Sequence, residues 1–231
     1  MLGRIIVLFI FIGNLSAQTN SLSVNYSLKI GFDESFSKND ALKDYYALAQ
    51  KGAQAIKLKL EANKNVSYFA MEDIIKNEEI DFAIAFAEAS TSYFIDVKKD
   101  QKTKYESGFF GEYMIEYQET TPWKLENETK QIGSYLCYKA TSEQVVVNPK
   151  KTFKHPIVAW YCPSIPFNIG PKGYTGLPGL ILELQVRNII WGATKIEISN
   201  DNKIIEKPSK GKLITEEEFK KILASPPIFG N

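Results

Sequence analysis

The sequence predicts a mainly β fold: an antiparallel curved sheet, or a partly open barrel, of many short strands with one or two helices. Three observations carry this. Apolar residues recur at every second position in one segment after another, which is the period of a half-buried strand. Turn residues separate these segments at short, regular spacing. Aromatic residues make up 13% of the 231-residue chain, a share that favours strands and a well-filled core.

Val24, Tyr26, Leu28, Ile30 and Phe32 alternate with polar residues and form the first expected strand. Residues 40–50 carry a helical pattern that Gly52 ends, and Lys57 to Leu60 alternates again. Val66 to Met71 is a further strand. Residues 81–89 read both ways: the alanines suit a helix, while Phe82, Ile84 and Phe86 alternate. Tyr93 to Val97, Tyr105 to Gly108, Tyr113 to Tyr117, Trp123 to Glu126, Tyr135 to Ala140, Val145 to Val147 and Ile157 to Tyr161 continue the series. Leu180, Leu182, Leu184 and Val186 then give one apolar face, opposite the mixed face of Ile181, Glu183, Gln185 and Arg187. Arg187-Asn188 is a hairpin turn, and the return strand runs from Ile189 to Ile198 with Gly192 as a candidate bulge. Thr215-Glu216-Glu217-Glu218 has the spacing of a capping box for a helix through about Leu223, which Pro226-Pro227 stops.

Residues 163–179 differ from the rest. Pro163, Pro166, Pro171 and Pro178 fall there with Gly170, Gly173, Gly176 and Gly179, and Lys172 is the one charge. Prolines restrict the backbone, so this is a pre-shaped loop rather than a loose linker. Pro178-Gly179 suits the two central positions of a type II turn. Glycines that lead into a strand rather than a helix do not make a phosphate loop.

At the N-terminus, Arg4 precedes an apolar run from Ile5 to Ile12 and the polar-small stretch Gly13 to Gln18. This describes a secretory signal peptide, residues 1–17, cleaved after Ala17, with residues 18–231 forming a single β-rich domain. The run is too short for a permanent bilayer span, which needs about 20 residues. Without residues 1–17 the chain carries 27 basic and 27 acidic residues. Such a balance argues against binding nucleic acid or an anionic membrane by bulk charge. The expected location is the periplasm or outside the cell. There the even pair Cys137 and Cys162 reads first as a disulfide, and otherwise as two buried thiols. Closing its loop of roughly 25 residues would contribute about 3 kcal/mol through the unfolded state.

Gly176-Leu177-Pro178-Gly179-Leu180-Ile181 resembles the signature of the GLPGLI family of exported Bacteroidetes-type proteins. The resemblance extends over about residues 120–185. Trp123, Ile132-Gly133, Tyr135, Cys137 and Lys139-Ala140-Thr141 look like the family's tryptophan and cysteine-containing strand. Ala159-Trp160-Tyr161, Ile165-Pro166, Gly170-Pro171 and Tyr174 look like the lead into the signature. Val145 to His155 lacks the glycine-arginine pair expected before Ala-Trp-Tyr. The resemblance implies an exported protein without assigned activity or catalytic residues.

No catalytic constellation stands out, and no cofactor or metal is implied. His155, the lone histidine, would need a thiol of depressed pKa and an orienting residue to serve a cysteine hydrolase, and reads instead as a solvated turn residue. Three His and Cys residues make a poor zinc site. Glu72-Asp73 and Glu78-Glu79 lack EF-hand spacing and read as solvated charges. Glu183 reads as a solvent-facing carboxylate on an otherwise apolar strand. Trp160, Tyr161 and Tyr174 flank the proline loop and are the candidate contact residues, able to stack on a sugar or apolar ligand or to pack loop against sheet. Two functions are compatible with this. One is a non-catalytic binding module for an apolar ligand or envelope component. The other is an interaction or assembly factor of the cell envelope acting through an exposed sheet edge.

Overall fold

The computed structural model describes residues 20–108, 110–118, 120–147 and 152–224. The expected signal segment, its cleavage site and the Pro226-Pro227 stop lie outside them. The fold is mainly β, as expected. The strands are β1 (Ser21–Ile30), β2 (Lys57–Asn63), β3 (Val66–Met71), β4 (Ser92–Asp96), β5 (Gln101–Gly108), β6 (Gly111–Tyr117), β7 (Lys124–Ile132), β8 (Tyr135–Val147), β9 (Thr152–Cys162), β10 (Leu180–Val186), β11 (Ile189–Ser199) and β12 (Lys212–Thr215). They form one sheet in the order β12-β6-β5-β4-β3-β2-β1-β11-β10-β9-β8-β7, which does not close. Every pairing is antiparallel except β12 against β6. Among the described residues four α-helices accompany it rather than one or two: α1 (Glu34–Ser37), α2 (Lys43–Gly52), α3 (Glu78–Ala87) and α4 (Glu216–Ala224).

β1 is the spine. It pairs with β11 along its whole length and with β2 over seven residues, so both its edges are satisfied. Leu22, Val24, Tyr26, Leu28 and Ile30 all face the core, each burial being worth about 2 kcal/mol. An extra residue, Thr194, interrupts the β1–β11 register, and its hydroxyl donates to Asn25 O. The bulge therefore sits at Thr194 and not at Gly192, which pairs in register with Ser27 and Glu183.

The sheet is strongly curled. In a flat sheet β6 and β8 would stand nine strand spacings, or about 40 Å, apart. Yet Tyr117 of β6 and Gln144 and Val146 of β8 line one cleft. Two arms, β2 to β12 and β11 to β7, thus bend toward each other across a filled inner face.

Part of that filling is helical. Residues 81–89, readable as helix or strand, lie in α3 and its cap. Asn77 opens α3 by accepting from Ile80 N, and Glu88 closes it in the left-handed region at φ 49°. Ile80, Ala83, Ile84 and Ala87 are buried, the spacing of one helix face. The Asn188 side chain donates to Gly31 O and to the hydroxyl of Tyr46, tying α2 to the β10–β11 hairpin. The other part is the proline loop. Ile165, Phe167, Ile169, Leu177 and Leu180 are all buried, and Tyr26 Oη donates to Ile181 O at 2.6 Å.

The turn that ends the loop differs from expectation. Gly179 N donates to Leu177 O at 2.9 Å, a three-residue γ-turn around Pro178, and Leu180 N goes to Ile165 O instead of closing a type II turn. Gly179 takes φ 146°. Packing sets this conformation: a Cβ on Gly179 would lie 2.3 Å from Cys162 O. The capping box of α4 forms as expected, with Thr215 N donating to Glu218 Oε2 and Glu218 N to Thr215 Oγ1.

Gly179→Ala is expected to cost about 2–4 kcal/mol, because strand backbone must move to admit the methyl group. Gly192→Ala, where the nearest atom is 3.9 Å away, should stay within about 0.5 kcal/mol of wild type. Urea unfolding of both variants measures the contrast, and equal costs would refute the close-packing account.

Candidate functional site

Two cavities flank the proline loop. The first, about 460 Å³, lies where the two arms face each other. Its walls come from α3 (Phe86, Ala87), the loop (Gly173, Tyr174), β6 (Tyr117) and β11 (Trp191). Two ion pairs stand among its lining residues. Lys172 meets Glu88 at 2.9 Å, and Lys104 meets Glu216 at 3.0 Å. In each pair the cation is the more enclosed member: Lys172 and Lys104 side chains are 15% and 21% exposed, against 72% and 34% for Glu88 and Glu216. The Lys172 ammonium also stands 5.2 Å from the centre of the Trp191 ring, a cation–π arrangement. Trp191 is 1% exposed, and its indole N–H has no hydrogen-bond partner.

Electrostatics divide the neighbouring carboxyls. Lys172 holds Glu88 below the ordinary glutamate range. Burial resists ionisation of Glu216, yet its hydrogen bond with Lys104 still lowers it. Glu106 goes the other way. Burial pushes it up, despite a hydrogen bond from Thr91 Oγ1 at 2.9 Å.

The second cavity, about 500 Å³, opens between the β2–β3 turn, the β4–β5 hairpin and the loop. Val66, Ile95, Val97, Phe167 and Ile169 give it apolar walls, and Lys64, Asp96, Asp100 and Lys102 stand among its lining residues. Glu88, Asp100, Lys172 and Arg187 are the non-glycine residues at positive φ among the described residues. Three of them line the first cavity and Asp100 lines the second. Left-handed backbone costs a non-glycine residue of order 1–2 kcal/mol, so the strain is concentrated at the cavities.

The structure does not bring the three sequence-predicted contact residues together. Trp160 and Tyr161 are consecutive on β9, so the pleat sends them to opposite faces. Trp160 lies on the outer face between Lys130 and Lys139, 5.3 and 6.0 Å from its ring centre. Tyr161 packs against Tyr138 on the other face. Tyr174 alone reaches the first cavity, 6.0 Å from the ring of Trp123. Glu183 is paired on the outer face, with Lys130 bridging both its oxygens at 2.7 and 2.8 Å.

His155 is not a turn residue: it sits half-buried on β9, stacked on Phe153, and lines the first cavity. Cys162 is seven residues further along the same strand, about 24 Å away, so no Cys–His dyad forms. Cys137 and Cys162, expected as a disulfide, are free and buried thiols in the structure. Glu88, Lys104, Lys172, Trp191 and Glu216 were not among the expected site residues. Of these, Lys172 had a sequence signal, as the one charge in the proline loop. Among the described residues no group of three or more His, Cys, Asp or Glu is placed to hold a metal.

Comparison with known proteins bears on this region. A family model described as a protein of unknown function, Porph_ging, matches residues 123–155 and 147–183. That span covers β7 to β9, the proline loop and the start of β10. It agrees with the Bacteroidetes-type character of the signature. No curated protein matches the chain. Among solved structures, PNGF-II in space group P21 is similar with a TM-score of 0.52 at 13% identity, and PNGF-II in C2 with 0.54 at 14%. In both cases 89% of this chain and 33% of that chain are covered, so the chain spans about a third of the length of PNGF-II. At this identity the likeness is one of fold.

The opposed carboxyl shifts make a signed prediction. The raised pKa of Glu106 disfavours its charged form in the folded state, so Glu106→Gln should raise Tm at neutral pH. That gain should vanish below the ordinary glutamate value of 4.5. Glu88 is lowered, so its contribution is complete above 4.5 and is lost as pH falls through its folded pKa. Glu88→Gln should therefore lower Tm at neutral pH and converge with wild type in acid. Thermal melts across this range check both signs.

Proposed function

We propose that the protein is an exported, non-catalytic binding module of the cell envelope that holds an apolar chain in the second cavity. One observation carries the reading: an open groove of about 500 Å³ with Val97 exposed in its wall and Phe167 and Ile169 presented by a loop that is already ordered. A pre-formed wall loses little conformational entropy on binding. The charged residues around the groove suit an amphiphile with its polar end outward. Action through a sheet edge has less support. The edge strand β7 carries Lys124, Glu126, Glu128 and Lys130 along its length, and the opposite edge, β12, is only four residues long.

A pyrene-labelled fatty acid is expected to bind the purified protein and to be displaced by unlabelled lauric acid. Val97→Lys and Asn168→Trp, which charge and block the groove, should each weaken binding about tenfold or more, or about 1.4 kcal/mol. Failure of the probe to bind, or binding unchanged in both variants, would rule out the groove as the site.

Export carries the Cys137–Cys162 bond with it. The β8–β9 register pairs Tyr138 with Tyr161, and one step further it sets Cys137 opposite Cys162. Burial, and then the adjacent Cys162 thiol, push the Cys137 thiol up to about 12, so a free pair there is poorly reactive once folded. Protein taken from the envelope under non-reducing conditions should have an intact mass lower by a pair of hydrogens than the reduced form. Two alkylatable thiols after denaturation would exclude the bond.

A further inference from the structure

The first cavity has features that the apolar-chain reading leaves unused. Its two lysines are enclosed, while the glutamates that neutralise them are more exposed. The Lys172 ammonium is fixed on three sides, by Glu88, by Ala87 O at 3.4 Å and by the face of Trp191. Gly173, next to it, leaves no room for a side chain: a Cβ would lie 2.3 Å from Tyr117 Oη. Lys172 itself is held in the left-handed region at φ 53°. Arg187, 3.8 Å from the carboxylate of Asp33, is a third cation in the lining. The buried indole N–H of Trp191 is a donor with no acceptor. A buried, unmatched donor costs about 1–3 kcal/mol, a cost that a bound acceptor removes.

We propose that this cleft binds a small organic carboxylate, which takes the place of the Glu88 carboxylate on Lys172 and accepts the free N–H of Trp191. Glu88 acts as an internal stand-in. Its exposed carboxylate holds the lysine in place and can move into solvent at little cost when a ligand carboxylate enters. A carboxylate fits better than a larger oxyanion, because both lysines already engage carboxylate oxygens at 2.9 and 3.0 Å. Lys104, whose partner Glu216 is the more exposed member of that pair, accommodates a second acidic group on the same ligand. This site is separate from the apolar groove, and either can fail without the other.

The test is calorimetric titration of the full chain with acetate, succinate and citrate, with inorganic phosphate as a comparison, all at matched ionic strength. Succinate or citrate is expected to bind, and to do so more tightly than acetate or phosphate. Glu88→Gln removes the competitor while leaving the lysines, and should tighten binding about three- to tenfold. Lys172→Asn keeps a residue that tolerates the left-handed region; losing the Glu88 pair should lower its Tm at least as much as Glu88→Gln does, and below both melting transitions it should weaken binding at least about tenfold. Trp191→Phe keeps the ring and removes only the donor, and should weaken binding about fivefold. No binding by any of the three carboxylates would overturn the proposal. So would affinities unchanged by Lys172→Asn and Trp191→Phe, or a preference for phosphate over every carboxylate.

Discussion

The structure depends on filling the inner face of a sheet too wide to fill itself. A closed barrel of about eight strands can be filled by its own side chains, but a twelve-stranded sheet encloses more space than they reach. Here the sheet stays open and two inserted pieces supply the missing volume. The helices α2 and α3, which pack on each other although β2 and β3 separate them in the chain, lie beneath the Ile30 end of β1. The proline loop brings Ile165, Phe167, Ile169, Leu177 and Leu180 onto the rest. The hydrogen bond from Tyr26 at the centre of β1 to Ile181 O links the spine of the sheet to the loop's exit.

That arrangement explains where conformational strain and unmatched polar groups sit. A loop wedged between two arms has its route dictated by them, and its backbone takes whatever φ the route requires. Gly179 passes against Cys162 and Gly173 against Tyr93 and Tyr117, where no side chain fits. Lys172 and Glu88, at the facing ends of the two inserted pieces, both adopt left-handed conformations and join in an ion pair. The two cavities are the places where the pieces fail to meet the sheet or each other. One is walled by apolar residues of the strands and the loop, and the other by the charged ends of the insertions. Each is a pre-formed opening in a rigid frame, the usual setting for a small ligand.

Much of the frame was legible in the sequence. Alternation located β1, β3, β10 and β11 to within a few residues, though it caught only the second half of β9, and Thr215 with Glu218 announced α4. The residues between 81 and 89 were not decidable locally, since alanine with alternating phenylalanine satisfies both periods. Packing of Ile80, Ala83, Ile84 and Ala87 against α2 and the sheet decided for a helix. β12 escaped notice because four residues hold no period, and it exists only where β6 offers a free edge. Trp160 and Tyr161 were grouped as contact residues by closeness in the chain, although the pleat of a strand already places neighbours on opposite faces. The cleft itself was illegible: Glu88, Lys104, Lys172, Trp191 and Glu216 are scattered along the chain, and nothing local links them.

The sequence by itself determined the class of fold, the position of most strands, the stiffness of the proline loop and the balance of charge, because each depends on neighbours within a few residues. The order of strands, the curl of the sheet and the meeting of the Lys172–Glu88 ion pair with a buried indole were decided only in the tertiary structure. β1 pairs with β11, about 170 residues away, and that one long-range ladder brings the two arms into a common frame. Which surfaces then face across the gap follows from how much volume the inserted helices and loop fill, a property of the assembled interior that no stretch of chain carries alone.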